Sequence, residues 1–268
     1  MSGYISLHPL DLVLASLFLV LNAVLSIALR LGLARQLVIA AARMVVQLLM
    51  IGLVLKTVFA LNSPWITILL GLVMLVFAGR EIRARQERRL TGPWGYALGA
   101  GAMMLAGTFV TIVALATQIQ PTPWWAPQFA LPLFGMILGN TMTGVSLGLD
   151  SLHTMLSREA RAIEARLLLG HKSLAAMLPV LRRALRSGFT PVINSMAATG
   201  VVFLPGMMTG QILSGVDPQE AVKYQLLIMF LIGGATGLGV LTAVLASAFR
   251  LTDRRQRLRL DRLTEAKG

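Results

Sequence analysis

The chain has 268 residues, of which 56% are hydrophobic and only 13% charged, whereas soluble domains carry roughly 25% charged residues. This composition excludes an ordinary soluble enzyme and predicts an all-α, polytopic membrane protein. Cysteine is absent, which excludes disulfides and thiolate metal sites. The net charge of +13 would suit nucleic acid, but membrane topology explains its placement, so no nucleic-acid partner is expected.

Seven apolar stretches predict about seven transmembrane helices, since about 20 residues of helix cross the roughly 30 Å of hydrocarbon in a bilayer. The predicted spans are residues 9–29, 37–60, 65–80, 94–117, 128–149, 188–212 and 221–249. Residues 1–249 are therefore expected to form one transmembrane domain, followed by a basic cytoplasmic tail, 250–268. Leucines interleaved with the arginines of that tail favour a basic interfacial helix; they are Leu251, Leu258, Leu260 and Leu263.

The basic residues predict the orientation of these spans. Of the 24 Lys and Arg residues, 21 lie in the tail or in the loops after the first, third and fifth spans, including the basic loop 80–93. Because cytoplasmic loops carry the excess of Lys and Arg, the N-terminus is expected outside and the C-terminus inside.

The second span contains an arginine, Arg43, with Gln47 one turn further on. An ionisable residue inside a span is a functional candidate, so both side chains are candidates for a translocation path. Arg43 lies only about six residues into the span, so its guanidinium can equally reach the near interface or pair with a neighbouring helix.

A charged segment, residues 157–179, separates the fifth and sixth spans. Its apolar residues follow a helical period, and its charged residues lie off that stripe, which consists of Ala160, Ile163, Leu167 and Gly170. The pattern predicts a short cytoplasmic helix, too polar to span a membrane, with one edge that docks on another surface. An ordinary amphipathic cytoplasmic loop is the alternative.

No enzyme site is expected from the sequence. The run Gly170-His-Lys-Ser173 lacks the glycine spacing and the contiguous Gly-Lys-Ser of a phosphate-binding loop. The three histidines, residues 8, 153 and 171, are expected near different interfaces. His153 and its neighbour Asp150 are predicted to cap the inner end of the fifth span, with a gate or ion relay as the alternative. The chain is expected to bind no cofactor of its own.

Two spans share a Gly-Met-x-x-Gly pattern followed by an amide side chain, and Pro132 and Pro205 precede the two copies. Freed carbonyls, thioethers and amides are ligands that an intramembrane site offers to a cation or polar solute. The alternative is a glycine-mediated packing seam in which methionines fill gaps. The path candidates are Met136, Asn140, Asn194, Met207, Met208 and Gln211, and the candidate metal ligands among them are Met136, Met207 and Met208.

Several stretches together resemble the FetB-type permeases of ABC transporters, a family of bacterial iron exporters related to plant permeases linked to aluminium tolerance. The stretches cover nearly the whole chain except the tail. They are Arg43-Met-Val-Val-Gln47, Pro132-Leu-x-Gly-Met136-x-x-Gly-Asn140, Glu164-Ala165-x-x-x-x-Gly170, Pro191-x-x-Asn194 and Leu204-Pro-Gly-Met-Met-Thr-Gly-Gln211.

The resemblance implies a homodimeric permease in the bacterial inner membrane that works with two copies of a separate ATPase. That partner would bind ATP and magnesium. Glu164, Ala165, Arg166 and Gly170 match the loop through which such permeases contact the ATPase. Leu178-Pro179 follows Gly170 more closely than in classical importers, which suits an exporter-like branch.

The substrate that the resemblance implies is iron, and a different metal ion or small solute is the alternative. A hard ferric ion prefers carboxylates, and the predicted spans hold none except Asp11 at the start of the first, so a chelate or a softer metal fits better. Two other classes stay open. One is an ATP-independent secondary transporter or channel built on Arg43 and the broken sixth span, and the other is a membrane scaffold that transports nothing.

Overall fold

The structure is a computed structural model that describes residues 8–265, so residues 1–7 and 266–268, with Lys267 of the predicted tail, lie outside the described part. Within that part the chain is helical, with three isolated β-bridges as its only extended pairing. The all-α fold class is confirmed. The helices are α1 (Pro9–Ala28), α2 (Ala34–Leu61), α3 (Pro64–Arg85), α4 (Trp94–Ile119), α5 (Pro127–Arg158), α6 (Ala160–Leu168), α7 (Ser173–Ala198), α8 (Gly206–Leu213) and α9 (Pro218–Arg250).

Four helices begin at a proline. The residue at the first helical position has no intrahelical acceptor for its backbone N–H, so the missing N–H of proline costs nothing there. Those helices begin at Pro9, Pro64, Pro127 and Pro218. Asp217 caps the last of them, since its carboxylate accepts a hydrogen bond from the Gln219 N–H at 2.9 Å. The sequence between the apolar runs therefore fixes where these helices begin.

Six helices are long and apolar enough to cross a bilayer: α1, α2, α3, α4, α5 and α9. The expectation of a polytopic membrane protein is confirmed. α4 contains two π-helical segments, Met104–Thr108 and Leu115–Ile119. α5 has 32 residues and α9 has 33. At a rise of 1.5 Å per residue each is about 50 Å long, well beyond the roughly 30 Å of hydrocarbon.

The predicted sixth span, residues 188–212, is wrong as a single helix. α7 ends at Ala198 and a non-helical break, residues 199–205, precedes α8. Within the break Gly200 has a φ of +86°, a conformation that glycine adopts without a steric penalty. Pro205 stands directly before α8 and lacks the N–H that would continue a helix from α7.

Two other predicted boundaries are also wrong. α3 continues to Arg85, so residues 80–85, predicted as part of a basic loop, are helical. α7 begins at Ser173, about four turns before the predicted span, because its arginine-rich first half continues the same helix. Hydropathy detects only the lipid-facing part of a helix that extends into water.

The core is a bundle of α5, α7 and α9 in which glycines bring backbones into contact. A Cβ built on Gly144 of α5 would lie 2.8 Å from the Gly188 carbonyl oxygen of α7. A Cβ built on Gly188 would lie 2.5 Å from a methyl group of Val240 in α9. Such contacts leave no space for a side chain, so these small residues are what allow the three helices to pack closely.

The α1–α2 hairpin lies at the periphery of this bundle. Only Ala23 and Ser26 are buried in α1, and only Val58 in α2. The Ser26 hydroxyl joins the two helices, since it accepts a hydrogen bond from the Leu33 N–H at 3.0 Å. Nearly all of the remaining apolar surface of the hairpin is exposed, as suits contact with lipid or with another apolar chain.

The described part of the tail is not the predicted interfacial helix. Residues 251–265 contain a single 3₁₀ turn, Leu260–Arg262, and fold back beneath the bundle. Leu251 is fully buried and Leu263 is 9% exposed in the main hydrophobic core. Leu263 pairs with Leu90 in an antiparallel bridge to the loop between α3 and α4. Tertiary packing of the leucines therefore replaces the helix that their spacing suggests.

Candidate functional site

The short helix α6 lies between the long helices α5 and α7, as the charged segment 157–179 predicts. Ile163 is 2% exposed and Leu167 packs against the same core, so these two residues of the predicted stripe hold α6 in place. Gly170 is exposed and has a φ of +87°, which reverses the chain after the helix. This conformation explains why a glycine follows the helix.

Two polar contacts fasten α6 to α7. The Arg166 guanidinium donates a hydrogen bond to the Ala176 carbonyl oxygen at 3.1 Å. At the other end of α6, Arg183 donates to both carboxylate oxygens of Glu159 at 2.7 and 2.6 Å. The guanidinium of Arg166, a predicted coupling residue, therefore binds a carbonyl oxygen of this chain and holds α6 against α7.

The outer face of α6 is free. Glu164 and Ala165 are exposed, and Glu164 has no hydrogen-bond or ion-pair partner among residues 8–265. Two leucines at the end of the helix, Leu168 and Leu169, are 89% and 80% exposed. We call Leu168 and Leu169 the leucine tip. The sequence analysis missed the tip, although three successive leucines before a glycine in a charged segment were the available signal.

The leucine tip lies outside the bilayer core. α6 starts only two residues after the end of α5, which is about 48 Å long by its 32 residues. A helix that begins at one face of a roughly 30 Å hydrocarbon layer therefore extends well beyond the other face, even when tilted. For a helix α5 placed in this way, lipid tails do not reach α6, and water, lipid headgroups or another protein covers the two leucines.

A cavity of about 520 Å³, mostly apolar but with a group of charged and polar side chains, opens between α2, α3 and α5. The Arg43 guanidinium lies 3.5 Å from one carboxylate oxygen of Glu81, and Arg85 lies 3.5 Å from the other. Gln47, a predicted path residue, lines the same cavity, as do Met74, Met142 and Gly139. An adjoining cavity of about 360 Å³ adds Arg80 beside Arg43 and Glu81.

Glu81 is a functional candidate that the sequence analysis missed, because its segment was taken for a loop outside the membrane. Its position four residues before Arg85 was the available signal, since such spacing favours a helical ion pair. The helix pairing considered for Arg43 is observed, and Arg43 and Gln47 also line the cavity, so the structure places them between the hairpin and the bundle.

The other predicted path residues are dispersed. Asn140 is exposed, and its amide donates a hydrogen bond to the Met136 carbonyl oxygen at 2.8 Å. Met136 packs with its side chain against an apolar cluster formed by α4, α5, α7 and α9, and Asn194 is exposed on α7. Among residues 8–265 no three His, Asp or Glu side chains form a group able to hold a metal ion.

The second Gly-Met motif lies on α8, which packs against α9 and makes no comparable contact with α5. The two Gly-Met motifs, which share a pattern and could have formed one site, therefore do not lie together in a single copy of the chain. Met207 is 38% exposed and Met208 is half-buried. The Gln211 side-chain oxygen is buried and has no partner among the described residues. The glycines of α8 have open space around them and form no packing seam.

Comparison with known proteins decides the family. Residues 9–251 match the family described as "Uncharacterised protein family (UPF0014)". The chain belongs to the UPF0014 family. It is 39% identical over 223 residues to the UPF0014 membrane protein slr1647 of Synechocystis sp., which covers 82% of this chain and 84% of that protein.

Two further relatives confirm the FetB-type resemblance. The protein ALUMINUM SENSITIVE 3 of Arabidopsis thaliana is 34% identical over 85% of this chain and 82% of its own length. The "Probable iron export permease protein FetB" of Escherichia coli is 27% identical over 87% of this chain and 88% of its own length. No solved structure matches this UPF0014 protein at a significant level.

His153 and Asp150 fasten the end of this UPF0014 bundle that lies nearest α6. The His153 ring nitrogens lie 3.0 Å from the Arg88 carbonyl oxygen and 2.7 Å from the Ser247 hydroxyl of α9. Asp150 accepts a hydrogen bond from the Glu87 N–H at 2.7 Å. Both side chains thus tie α5 to the loop after α3. The helix itself continues to Arg158, so neither residue caps its end as predicted, and the gate or ion relay stays a prediction.

Proposed function

We propose that this chain is the membrane-spanning permease of an ABC transporter and exports a metal or a small solute with ATP hydrolysed by a separate ATPase. The observation that carries this proposal is the leucine tip, because two exposed leucines stand beyond the membrane on a helix that is braced against the core. A docking surface for a cytoplasmic partner explains that exposure. Glu164, Ala165, Arg166 and Gly170 belong to the same surface.

The topology that accompanies this function puts the N-terminus outside and the C-terminus and α6 inside. In this topology the chain crosses the membrane seven times. The sixth crossing consists of the second half of α7, the break and α8. Residues 1–249 form the permease domain and 250–268 its basic cytoplasmic tail. A homodimer with two ATPases in the bacterial inner membrane fits the family resemblance, and the exposed α1–α2 hairpin and α8 are the surfaces free to join two copies.

The transported species is best sought at the cavity around Arg43. Its lining has two arginines, Arg43 and Arg85, against the single carboxylate of Glu81, and Arg80 stands beside it. An excess of positive charge disfavours a bare metal cation and favours a metal complex with anionic ligands. The similarity to the "Probable iron export permease protein FetB" of Escherichia coli supports iron as the first metal to test. Asn140, Asn194 and the methionines Met136, Met207 and Met208 remain secondary candidates for the path, as does Gln211.

The first experiment is a pull-down of the tagged chain from detergent, comparing wild type with a Leu168→Asp/Leu169→Asp variant. We expect an ABC ATPase in a one-to-one ratio with the wild type and its loss from the variant, because charges at the leucine tip oppose apolar docking. Val216→Asp, in the loop between α8 and α9 where the valine is 39% exposed, is the control and should keep the ATPase, because that loop lies on the other side of the membrane in the proposed topology.

The alternatives make different predictions in the same system. If the wild type captures no ATPase and reconstituted vesicles still transport without ATP, the chain is a secondary transporter or channel. Transport absent under every condition, with the fold intact, would instead indicate a scaffold. Either outcome refutes the ABC assignment. Substitutions in the cavity around Arg43 distinguish the two alternatives, because they should impair a transporter or channel but not a scaffold.

A further inference from the structure

The tail contributes a second surface beside α6. Residues 253–257, here called the tail turn, form a tight loop. An antiparallel bridge between the flanking residues Thr252 and Leu258 closes it. Asp253 organises the loop, since its carboxylate accepts hydrogen bonds from the Arg255 and Arg257 N–H groups, both at 2.9 Å. The buried residues Leu251 and Leu263 on either side anchor this loop to the core.

The tail turn is attached to the segment that follows the leucine tip. The side-chain oxygen of Gln256 accepts a hydrogen bond from the Ser173 N–H at 2.7 Å. Lys172, the residue before α7, supplies no side-chain cap, so Gln256 satisfies an N–H at the start of α7 that its own segment leaves open. Gln256 has a φ of +60°, and the tail turn holds it in that uncommon conformation.

This attachment places the tail turn close to the leucine tip. Ser173 is four residues after Leu169, and an extended chain spans at most about 3.6 Å per residue, so their Cα atoms lie within about 14 Å. The chain between them also reverses at Gly170, which shortens the distance. A partner that covers the leucine tip therefore meets the tail turn as well.

The tail turn presents unpaired positive charge. Hydrogen bonds from the backbone and side chain of Arg257 keep the pKa of Asp253 below its usual range, so this carboxylate stays charged and holds Arg257 as its ion-pair partner. Arg254 and Arg255 are exposed, and neither pairs with a carboxylate in the described part of the chain. The tail turn, which is attached four residues after the leucine tip, therefore carries two free guanidinium groups.

We propose that the tail turn is the second half of the ATPase docking surface, and that it recognises an acidic patch next to the apolar pocket for the leucine tip. This inference rests on the proposed function. An anionic membrane surface is the other class of partner for arginines, but α5 and α9 both extend about 50 Å, which puts the end of α9 well beyond the hydrocarbon. Exposed charges at such an interface chiefly govern the association rate and its salt dependence.

The test measures the affinity of the full chain, in nanodiscs, for the ATPase captured in the pull-down. We expect Arg254→Glu/Arg255→Glu to weaken binding at least tenfold at low salt and to flatten the dependence of affinity on salt concentration. Arg182→Glu, a change at an exposed arginine on α7, is the control and should stay within about threefold of wild type.

A second variant tests the attachment itself. Gln256→Leu removes the oxygen that accepts from the Ser173 N–H but leaves both free arginines in place. We expect several-fold weaker binding, because the tail turn is no longer held beside α6. If Gln256→Leu binds the ATPase as tightly as wild type, the hydrogen bond between Gln256 and Ser173 does not position the arginines.

The outcomes separate this inference from the proposed function. Loss of binding in the Leu168→Asp/Leu169→Asp variant, with full binding in the double arginine variant, overturns the inference and leaves the ABC assignment standing. Full binding in both variants overturns both. An effect of the arginine variant that disappears in nanodiscs of neutral lipid identifies the membrane as the partner of the tail turn and also overturns the inference.

Discussion

Two helices of the α5–α7–α9 bundle, α5 and α9, contain long apolar runs as the α1–α2 hairpin does, but the bundle and the hairpin pack in opposite ways. In the bundle, glycines such as Gly144 and Gly188 bring backbones together, and Ile137 and Val145 are fully buried. In the hairpin almost every side chain faces outward, and a Cβ built on Gly52 would meet nothing within 4 Å. The bundle is therefore a rigid body, whereas the hairpin owes its position to lipid, to a partner or to a few polar contacts.

The largest expected effect breaks the bundle. Gly188→Leu puts a side chain where a Cβ already lies 2.5 Å from Val240 and 3.0 Å from the Gly144 carbonyl oxygen. We expect no folded protein in detergent, measured as loss of a monodisperse peak in size-exclusion chromatography, because separating two helices costs more than the roughly 1–3 kcal/mol of ordinary overpacking. Gly52→Leu is the matched control and should purify as wild type does.

An intermediate effect tests whether the bundle carries α6 as a rigid attachment. Glu164 is exposed and has no partner in the described chain, so Glu164→Lys should leave the thermal stability unchanged. We expect ATP hydrolysis to continue while transport in proteoliposomes falls at least tenfold, because the charge reversal lies on the side of α6 that we propose faces the ATPase. Wild-type transport by this variant would remove Glu164 from the coupling surface.

The smallest effect on stability concerns the link between the hairpin and α3. The Arg43–Glu81 pair has a long separation of 3.5 Å and both side chains are partly exposed. A double-mutant cycle of Arg43→Gln and Glu81→Gln should therefore give a coupling energy of no more than about 1 kcal/mol. Transport should nevertheless fall several-fold in each single variant. A fall in stability without a fall in transport would make the pair purely structural.

The difference between the two regions also explains how far the sequence could be interpreted. Long apolar runs and their prolines located α1, α2, α5 and α9, because the bilayer imposes both the length and the composition of such helices. The helix α6 followed from its own stripe, centred on Ile163. These predictions depend on local pattern alone, and local pattern is similar in the packed and the unpacked parts of the molecule.

The missed features depend on contacts between distant segments. Glu81 was assigned to a loop because no local signal shows that Arg43 lies across from it. The tail leucines Leu251 and Leu263 carry a helical spacing, yet they are buried by packing against the core and the α3–α4 loop. The break at residues 199–205 has clear local signals, Gly200 and Pro205. The high hydropathy of residues 188–212 nevertheless leads to the prediction of one span across them.

The length of α5 has a mechanical consequence. From Asn140 to Arg158 the helix is unbroken over 18 residues, a distance of about 27 Å. A rod of that length converts a tilt of about 10° at one end into a displacement of about 5 Å at the other. A displacement of α6 by a few ångströms therefore tilts α5 at the level of Asn140. The side chains between the two positions do not have to rearrange one after another.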